Sequence, residues 1–354
     1  MTYTILFLLS FFLSMAGGWW LIKNAKNLGM LKHPKGRDAH AKPVATSGGI
    51  FIIIPIVWAA MYLQLPWWLP FGLLLFSVMG MLDDRHDISF LKKFIIQAGF
   101  VFFVLYVYVA LPPPRGVFSF LQYIFPNAEW VITNFILWMI FSVGFINFFN
   151  FMDGSDGHAS FGALLLLFGA WFFSDPWSYM QQTTQQYFLL AVAGGLIGFL
   201  LWNRPRARIF MGDAGSLPLG FLLVAMMWLS SQMDARELGL WLILGAVFFT
   251  DSIVTIITLA LRRQKFWLPH NVFAFQKVLR YFSGNHWAIL LIHGGYSLFW
   301  LYPIAYFWQR YPEISYVWFL CAYAPIFFAI LWLRAGFPDN KKSINRSGKK
   351  IGRF

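Results

Sequence analysis

Six aspartates stand at the ends of long apolar stretches, and their grouping in short polar motifs indicates chemistry at a membrane surface. They are Asp83 and Asp84 in GMLDDRHD, Asp153 and Asp156 in NFFNFMDGSDGH, Asp213 in FMGDAGS, and Asp251 in FFTDSIV. An acidic residue at membrane depth costs about 2.5–3.5 kcal/mol, so such residues are expected to serve a function. Because the whole chain has only 14 acidic residues, this clustering favours a site for a metal ion and phosphate groups.

The composition is typical of a polytopic membrane protein. Hydrophobic residues make up 59% of the chain and charged residues 12%, whereas about a quarter of a soluble domain is charged. The single cysteine, Cys321, excludes an intrachain disulfide. The first apolar segment begins at Thr4 with no basic region before it, so we expect a retained helix and not a cleaved signal peptide.

The apolar stretches predict an all-α fold with about eleven transmembrane helices. A spanning helix needs roughly 20 apolar residues. Stretches of suitable length and composition lie at 4–22, 48–65, 67–82, 94–111, 131–149, 161–174, 187–202, 215–231, 238–261, 287–306 and 315–333. The turn between the second and third stretches rests on Pro66 and the Trp67–Trp68 pair.

The distribution of Lys and Arg predicts the orientation of these helices, because cytoplasmic loops carry an excess of both. One set of alternate loops holds 24 of the 27 Lys and Arg residues, namely 23–47, 83–93, 150–160, 203–214, 262–286 and 334–354. The N-terminus is therefore expected to be extracytoplasmic and the C-terminus cytoplasmic. Five of the motif aspartates then lie at the cytoplasmic face, and Asp251 lies inside the membrane, roughly 16 Å from the basic end of its helix.

The adjacent carboxylates of Asp83 and Asp84 repel each other unless they share a cation or a proton. Mg²⁺ prefers carboxylate, phosphate and water oxygens, so this pair could hold a magnesium ion. A solvated helix end is the alternative interpretation.

The segment after the fifth span combines amides, carboxylates and glycines. Asn147 and Asn150 are three residues apart and share one helical face, while Gly154 and Gly157 allow the backbone to approach a ligand closely. Such side chains could bind the edges of a base or a sugar. The alternative is an ordinary turn in which Asp156 caps the sixth helix.

Asp213 lies between two glycines at the start of the eighth span. Free N–H groups make a helix N-terminus a site for anions, and a carboxylate placed there could carry Mg²⁺ against a diphosphate. A helix-capping loop is the alternative.

Two basic segments could bind phosphate. The cytoplasmic segment 262–280 contains His270 together with Arg262 and Arg263, and Lys42 precedes the second span. A histidine in such a loop is otherwise an ordinary surface residue.

The order of these motifs resembles the polyprenyl-phosphate N-acetylhexosamine-1-phosphate transferase superfamily, of MraY/WecA type. The chain carries K-P-x-x-x-x-G-G, D-D, N-x-x-N-x-x-D-G-x-D-G, G-D-x-G-S and a late loop with histidine, in that order. The resemblance implies one polytopic transferase domain over 1–335 and a basic cytoplasmic tail over 336–354. It also implies an enzyme of the bacterial inner membrane with its active site on the cytoplasmic face.

The implied reaction moves an N-acetylhexosamine-1-phosphate from a UDP-sugar to undecaprenyl phosphate, releases UMP and needs Mg²⁺ or Mn²⁺. Membrane lipids are expected partners, a homodimer is compatible with the family, and no nucleic acid is expected. By resemblance the metal ligands are Asp213 and Asp153. The catalytic residues are Asp83 as base or nucleophile, Asp84, Asp213 and His270. The substrate-binding residues are Lys42, Lys92, Lys93, Asn147, Asn150, Asp153, Asp156, Phe210 for stacking on uracil, Arg262 and Arg263.

The late loop departs from the family pattern. Relatives often have P-H-x-x-H-x-Y-Q, whereas this chain has Phe273 in place of the second histidine and Phe275 in place of tyrosine. The loop differs from that of the peptidoglycan enzyme, so a WecA- or WbpL-like enzyme that initiates O-antigen or another surface polysaccharide is favoured. A peptidoglycan or teichoic-acid precursor transferase, an inactive scaffold, and a transporter or flippase for a lipid-linked sugar are the alternatives. Direct attack by the lipid phosphate and a two-step route through an aspartyl-phosphate both remain open.

Overall fold

The computed structural model describes residues 2–32, 43–109, 129–174, 182–268 and 270–338. Its helices are α1 (Thr2–Asn24), α2 (Ile50–Tyr62), α3 (Trp68–His86), α4 (Phe90–Val109), α5 (Glu129–Phe151), α6 (His158–Phe173), α7 (Thr183–Asn203), α8 (Asp213–Met233), α9 (Ala235–Leu244), α10 (Ala246–Leu261), α11 (Ala274–Tyr281), α12 (His286–Tyr296), α13 (Tyr302–Arg310) and α14 (Ser315–Trp332). A π-helical turn at Ser297–Leu301 joins α12 to α13, and a 3-10 turn at Pro312–Ile314 precedes α14.

The predicted all-α membrane architecture is confirmed. Within the described residues every predicted span overlaps helical structure, and seven helical segments there are long and apolar enough to cross a membrane by themselves, one of them being α12, the π-helical turn and α13 together (His286–Arg310). Two further apolar helices, α2 and α6, are shorter. The count of eleven crossings and their direction remain predictions.

The predicted ninth span is two helices and not one. Helix α9 and helix α10 are bent by 73° at a break between Leu244 and Ala246. A side chain on the intervening Gly245 would lie 2.8 Å from the ring of Phe249, so the break needs a residue without a Cβ atom. Hydropathy does not report such a bend, because both helices are apolar.

Helix α8 is the centre of the molecule, with nearly all of its apolar surface buried by other helices. Two glycines allow neighbouring backbones to touch it. A Cβ atom on Gly80 of α3 would lie 2.1 Å from the carbonyl oxygen of Asp213, and one on Gly220 of α8 would lie 3.0 Å from the backbone of Ile146 on α5. These contacts bring the polar ends of α3, α5 and α8 together.

A small β structure holds the segment before α8 in place. Strand β1 (Leu31–Lys32) pairs with β2 (Val44–Ala45) in an antiparallel hairpin, and Ala45 forms a parallel bridge to Ile209. The N–H groups of Gly48 and Gly49 donate to the carbonyls of Phe210 and Met211 at 3.0 and 2.9 Å. The chain preceding Asp213 is therefore fixed by the segment that follows the basic N-terminal loop.

Candidate active site

The centre of the candidate site is a lysine between two carboxylates. Lys93 of α4 places its Nζ atom 2.6 Å from Oδ2 of Asp83 on α3 and 3.2 Å from Oδ2 of Asp213 on α8. The three side chains are 23%, 13% and 23% exposed, respectively. The site is thus shielded from water but open enough for a ligand to reach it.

Amides from α5 complete one side of this cluster. Asn150 donates from Nδ2 to Oδ1 of Asp213 at 2.9 Å and to the hydroxyl of Ser216 at 2.8 Å. One helical turn earlier, Asn147 donates to Oε1 of the buried Gln97 at 2.7 Å. The predicted asparagine pair does share one face, and that face points at α8 and α4.

Asp84 has a different role from Asp83, although the two are adjacent in sequence. Its carboxylate accepts the backbone N–H groups of Asp213 at 3.1 Å and Ala214 at 3.4 Å, and the hydroxyl of Ser47 at 2.8 Å. Asp84 therefore caps the start of α8 from a neighbouring helix. Gly212 permits this contact, because its φ is +68° and a Cβ atom there would lie 2.3 Å from the Asp84 carboxylate.

The crowding of acids in this small volume makes the two α3 carboxyl groups harder to ionise. Burial, followed by contact with the Asp213 carboxylate, raises the pKa of Asp83 to about 6, although Lys93 offsets part of the shift. Burial and the charge of Asp213 raise the pKa of Asp84 to about 6. Both residues lie beyond Leu82, where the apolar part of α3 ends.

Asp153 belongs to the same electrostatic cluster. Burial, followed by the charge of Asp213, raises the pKa of Asp153 well above its ordinary value, and Lys32 of the hairpin offsets part of this effect. The loop after α5 therefore contributes a fourth carboxyl group near the start of α8.

The donor set fits a divalent metal ion by its chemistry. The Oδ1 atom of Asp83 is buried and has no hydrogen-bond partner, which leaves a carboxylate oxygen available to a cation. Asp213 and Asp153 are further oxygen donors of the same electrostatic cluster, and such oxygens suit Mg²⁺. Among the described residues no three His, Cys, Asp or Glu side chains are arranged as a metal site, and Lys93 supplies the positive charge between Asp83 and Asp213.

Asp156 does not point into this cluster. Its Oδ2 atom accepts the N–H groups of Arg206 and Ala207, each at 3.0 Å, and its own N–H donates to Nδ1 of His286 at 3.0 Å. It does not cap α6 either, since Gly157 occupies that position without a side-chain cap. Asp156 thus joins the loop after α5 to residues 206–207 and to His286 at the start of α12.

The basic residues divide in a way that sequence spacing did not reveal. Lys92 is exposed, whereas its neighbour Lys93 turns inward to the acids. Arg262 donates to the carbonyl of Gly336 at 2.5 Å, and Arg263 is exposed. Lys42 lies outside the described residues.

In the described part of the late loop, His270 and Phe273 have partners outside the acid cluster. His270 is half-buried and its Nε2 atom lies 2.9 Å from the carbonyl of Lys265. Phe273 is buried, with its ring centroid 5.5 Å from that of Phe151. Phe210 is half-buried, and its backbone pairs with the segment before α2.

Comparison with known proteins identifies the family. The model of glycosyl transferase family 4 matches residues 67–231. A phospho-N-acetylmuramoyl-pentapeptide-transferase of Synechococcus elongatus is 30% identical over 268 residues, covering 70% of each chain. The chain belongs to glycosyl transferase family 4. Transferases of the same name resemble it from Lactiplantibacillus plantarum, 30% identical over 262 residues (67% of this chain and 76% of the relative), and from Listeria monocytogenes, 33% identical over 198 residues (52% and 57%).

The matched part of this family 4 transferase contains five of the six motif aspartates and leaves out Asp251 and the late loop.

Sequence reasoning missed several polar residues that complete the site: Ser47, Gln97 and Ser216. Two of them carried a signal, because Gln97 lies one helical turn after Lys93 and Ser216 lies three residues after Asp213.

Proposed function

We propose that this protein transfers an N-acetylhexosamine-1-phosphate from a UDP-sugar to undecaprenyl phosphate and releases UMP. The observation that supports this function is the Lys93 ammonium group between the carboxylates of Asp83 and Asp213. It lies where the apolar helices α3, α4 and α8 end, so a phosphate carried on a lipid could reach it without leaving the membrane. Membership of glycosyl transferase family 4 is consistent with the reaction.

The charges of the site suit the meeting of two anions. A phosphate on a lipid and the diphosphate of a nucleotide sugar repel each other, so a transfer between them depends on positioning and positive charge. Lys93 supplies one cation. Asp83, Asp153 and Asp213 would hold Mg²⁺ or Mn²⁺, which polarises phosphoryl oxygens and neutralises developing charge when bound.

The bond changes are those of a phosphoryl transfer. An oxygen of the lipid phosphate forms a bond to the β-phosphorus of the UDP-sugar, and the bond from that phosphorus to the UMP oxygen breaks. Phosphate monoesters have a second pKa near 6, so the lipid phosphate is largely ionised at pH 7. Direct attack therefore needs little help from a base, so the proposed roles of Asp83 are to hold Lys93 through Oδ2 and to bind the metal ion through Oδ1.

The late loop supports the choice between the possible sugar substrates. Phe273 fills its position with a buried ring packed on Phe151, where many relatives have a histidine. This supports a WecA- or WbpL-like enzyme that begins an O-antigen or another surface polysaccharide on the cytoplasmic side of the bacterial inner membrane. The second candidate is a peptidoglycan-precursor transferase, which the names of the similar proteins favour.

A single assay separates these candidates. Purified protein is incubated with undecaprenyl phosphate, Mg²⁺ and either a UDP-N-acetylhexosamine or UDP-N-acetylmuramoyl-pentapeptide, and UMP release is measured. We expect UMP only with the UDP-N-acetylhexosamines. Release with the pentapeptide substrate alone would support the second candidate, and no release with any sugar would leave a transporter or an inactive scaffold.

A further inference from the structure

Asp251 lies away from the acid cluster, and each oxygen of its carboxylate accepts a backbone N–H group. The residue is 3% exposed on α10. Its Oδ1 atom accepts the N–H group of Ala274 at 2.8 Å, and its Oδ2 atom accepts that of Phe275 at 3.1 Å. The hydroxyl of Thr255 donates to the same Oδ1 atom at 3.1 Å. These bonds tie α10 to the start of α11.

At the start of α11 the Gln276 side chain accepts the N–H group of Phe273 at 3.2 Å, which leaves the N–H groups of Ala274 and Phe275 to find an acceptor outside the helix. The first N–H groups of a helix lack partners within it, and Ser, Thr, Asp or Asn usually supplies the missing acceptor. The residue before α11 is Phe273, whose side chain has no acceptor atom. The carboxylate of Asp251, on helix α10, supplies the missing acceptor. Its negative charge at the start of α11 also interacts favourably with the dipole of that helix.

The anchored end of α11 packs on the loop that carries Asp153. The ring of Phe275 covers Gly154, since a Cβ atom there would lie 2.9 Å from a ring carbon. Phe273 extends the same contact to Phe151 at the end of α5. A shift of α11 would therefore reach the loop beside the acid cluster directly.

A hydrogen bond from the turn after α14 also holds the segment 270–276, which leads into α11. The carbonyl of Val272 accepts the N–H group of Gly336 at 2.9 Å, so residues 270–276 are fixed between α10 and the turn that follows α14. His270 lies within this segment. Under the proposed function, we take the nucleotide sugar to bind on this side of the site and the lipid phosphate to bind along the apolar helices α3 and α4.

We infer that Asp251 is a positioning residue that docks segment 270–276 against the Asp153 loop and so completes the sugar-nucleotide side of the site. The inference rests on the proposed function. It assigns Asp251 no contact with either substrate and no part in metal binding.

The test compares three variants of the full-length protein. Asp251→Asn keeps the size of the side chain but turns an NH₂ group toward a backbone N–H, so one bond is lost and a repulsion is gained. Thr255→Val is the matched control, because it removes the hydroxyl and leaves both backbone bonds. Asp251→Glu keeps the charge and displaces it by one methylene, and it serves if the asparagine variant does not fold.

Two measurements are made on each variant. Hydrogen–deuterium exchange of peptides covering 270–281 reports docking, and steady-state kinetics give separate KM values for the two substrates. For Asp251→Asn we expect faster exchange in that peptide and a KM for the UDP-sugar raised by about tenfold or more, as for the loss of a charge-assisted hydrogen bond. The KM for undecaprenyl phosphate and the Mg²⁺ dependence should not change. Thr255→Val should behave like the wild type, and Asp251→Glu should shift in the same direction as Asp251→Asn.

Three results would overturn the inference. They are unchanged exchange in 270–281 for both Asp251 variants, faster exchange with an unchanged KM for the UDP-sugar, and equal increases in KM for both substrates. Failure of the proposed function is a separate outcome, because the wild-type protein itself would then release no UMP.

Discussion

The six motif aspartates divide into two groups by what their oxygens touch. Asp84, Asp156 and Asp251 each accept two consecutive backbone N–H groups from another segment. The other three, Asp83, Asp153 and Asp213, form an electrostatic cluster that includes Lys93. Asp84 also lies close to this cluster, because the charge of Asp213 contributes to its raised pKa, whereas Asp156 and Asp251 bind backbone elsewhere in the chain.

The first prediction concerns the two adjacent lysines, Lys92 and Lys93. Lys93→Gln should lower kcat by at least about 100-fold, since a preorganised charge in a shielded site typically contributes that much. Lys92→Gln is the matched control, because Lys92 is exposed, and it should keep most of its activity. UMP release measures both. Equal losses in the two variants would contradict the geometry of the cluster.

The second prediction concerns pH and stability without metal. Burial raises the pKa of Asp83 to about 6, so the folded protein holds a proton that the unfolded chain has already released between pH 4 and 6. The stabilisation is therefore complete below the unfolded pKa and is lost as pH rises through about 6. In the presence of a chelator, the Tm of the wild type minus that of Asp83→Asn should therefore fall as pH rises from 4 to about 6.

Asp83→Asn is the control for this effect, because it cannot titrate. The comparison isolates Asp83, because every other titrating group is common to both proteins. A difference in Tm that stays constant or grows from pH 4 to pH 6 would show that burial does not hold a proton on Asp83.

The helices were predictable from the sequence, but their breaks and rotations were not. The predicted spans are helical, since a membrane permits few other structures, but the ninth is divided into α9 and α10. The inward rotation of Lys93 depends on how α4 is turned toward α3, which adjacent lysines do not reveal. The partners of Asp84 and Asp156 are 129 and 50 residues away in the sequence, so no local pattern indicates them.

The third prediction concerns how closely α3 and α8 approach each other. A Cβ atom on Gly80 would lie 2.1 Å from the carbonyl oxygen of Asp213, which is a backbone atom and cannot rotate away. Gly80→Ala should therefore destabilise the protein by about 1–3 kcal/mol and lower kcat, because it moves Asp83 away from Asp213.

Gly99→Ala provides the matched control on α4, where an added Cβ atom meets nothing within 4 Å. Alanine favours a helix by about 1 kcal/mol over glycine, so this variant should be as stable as the wild type or more so. Thermal unfolding in detergent compares the two. Equal effects of both substitutions would show that the α3–α8 contact does not matter.

For the whole molecule, the polar ends of α3, α5 and α8 meet at one end of an apolar bundle. The fourth prediction is that this end is cytoplasmic, given that 24 of the 27 Lys and Arg residues lie on the loops of that side. A reporter fused after Phe354 should be cytoplasmic, and one inserted near Asn127 should be extracytoplasmic. Both reporters on the same side of the membrane would contradict the eleven-span topology.

The measurement that tests the central claim most directly is UMP release by Asp213→Asn. This substitution removes the charge around which Lys93, Asn150 and the other acids are arranged, while the size of the side chain is unchanged. Asp87→Asn, at an exposed position in the same aspartate motif as Asp83, is the control and should retain activity. We predict that Asp213→Asn inserts into the membrane normally and has no measurable turnover. Activity above about a tenth of the wild-type value, a change in the barrier of less than about 1.4 kcal/mol, would contradict the assignment of this cluster as the site of phosphoryl transfer.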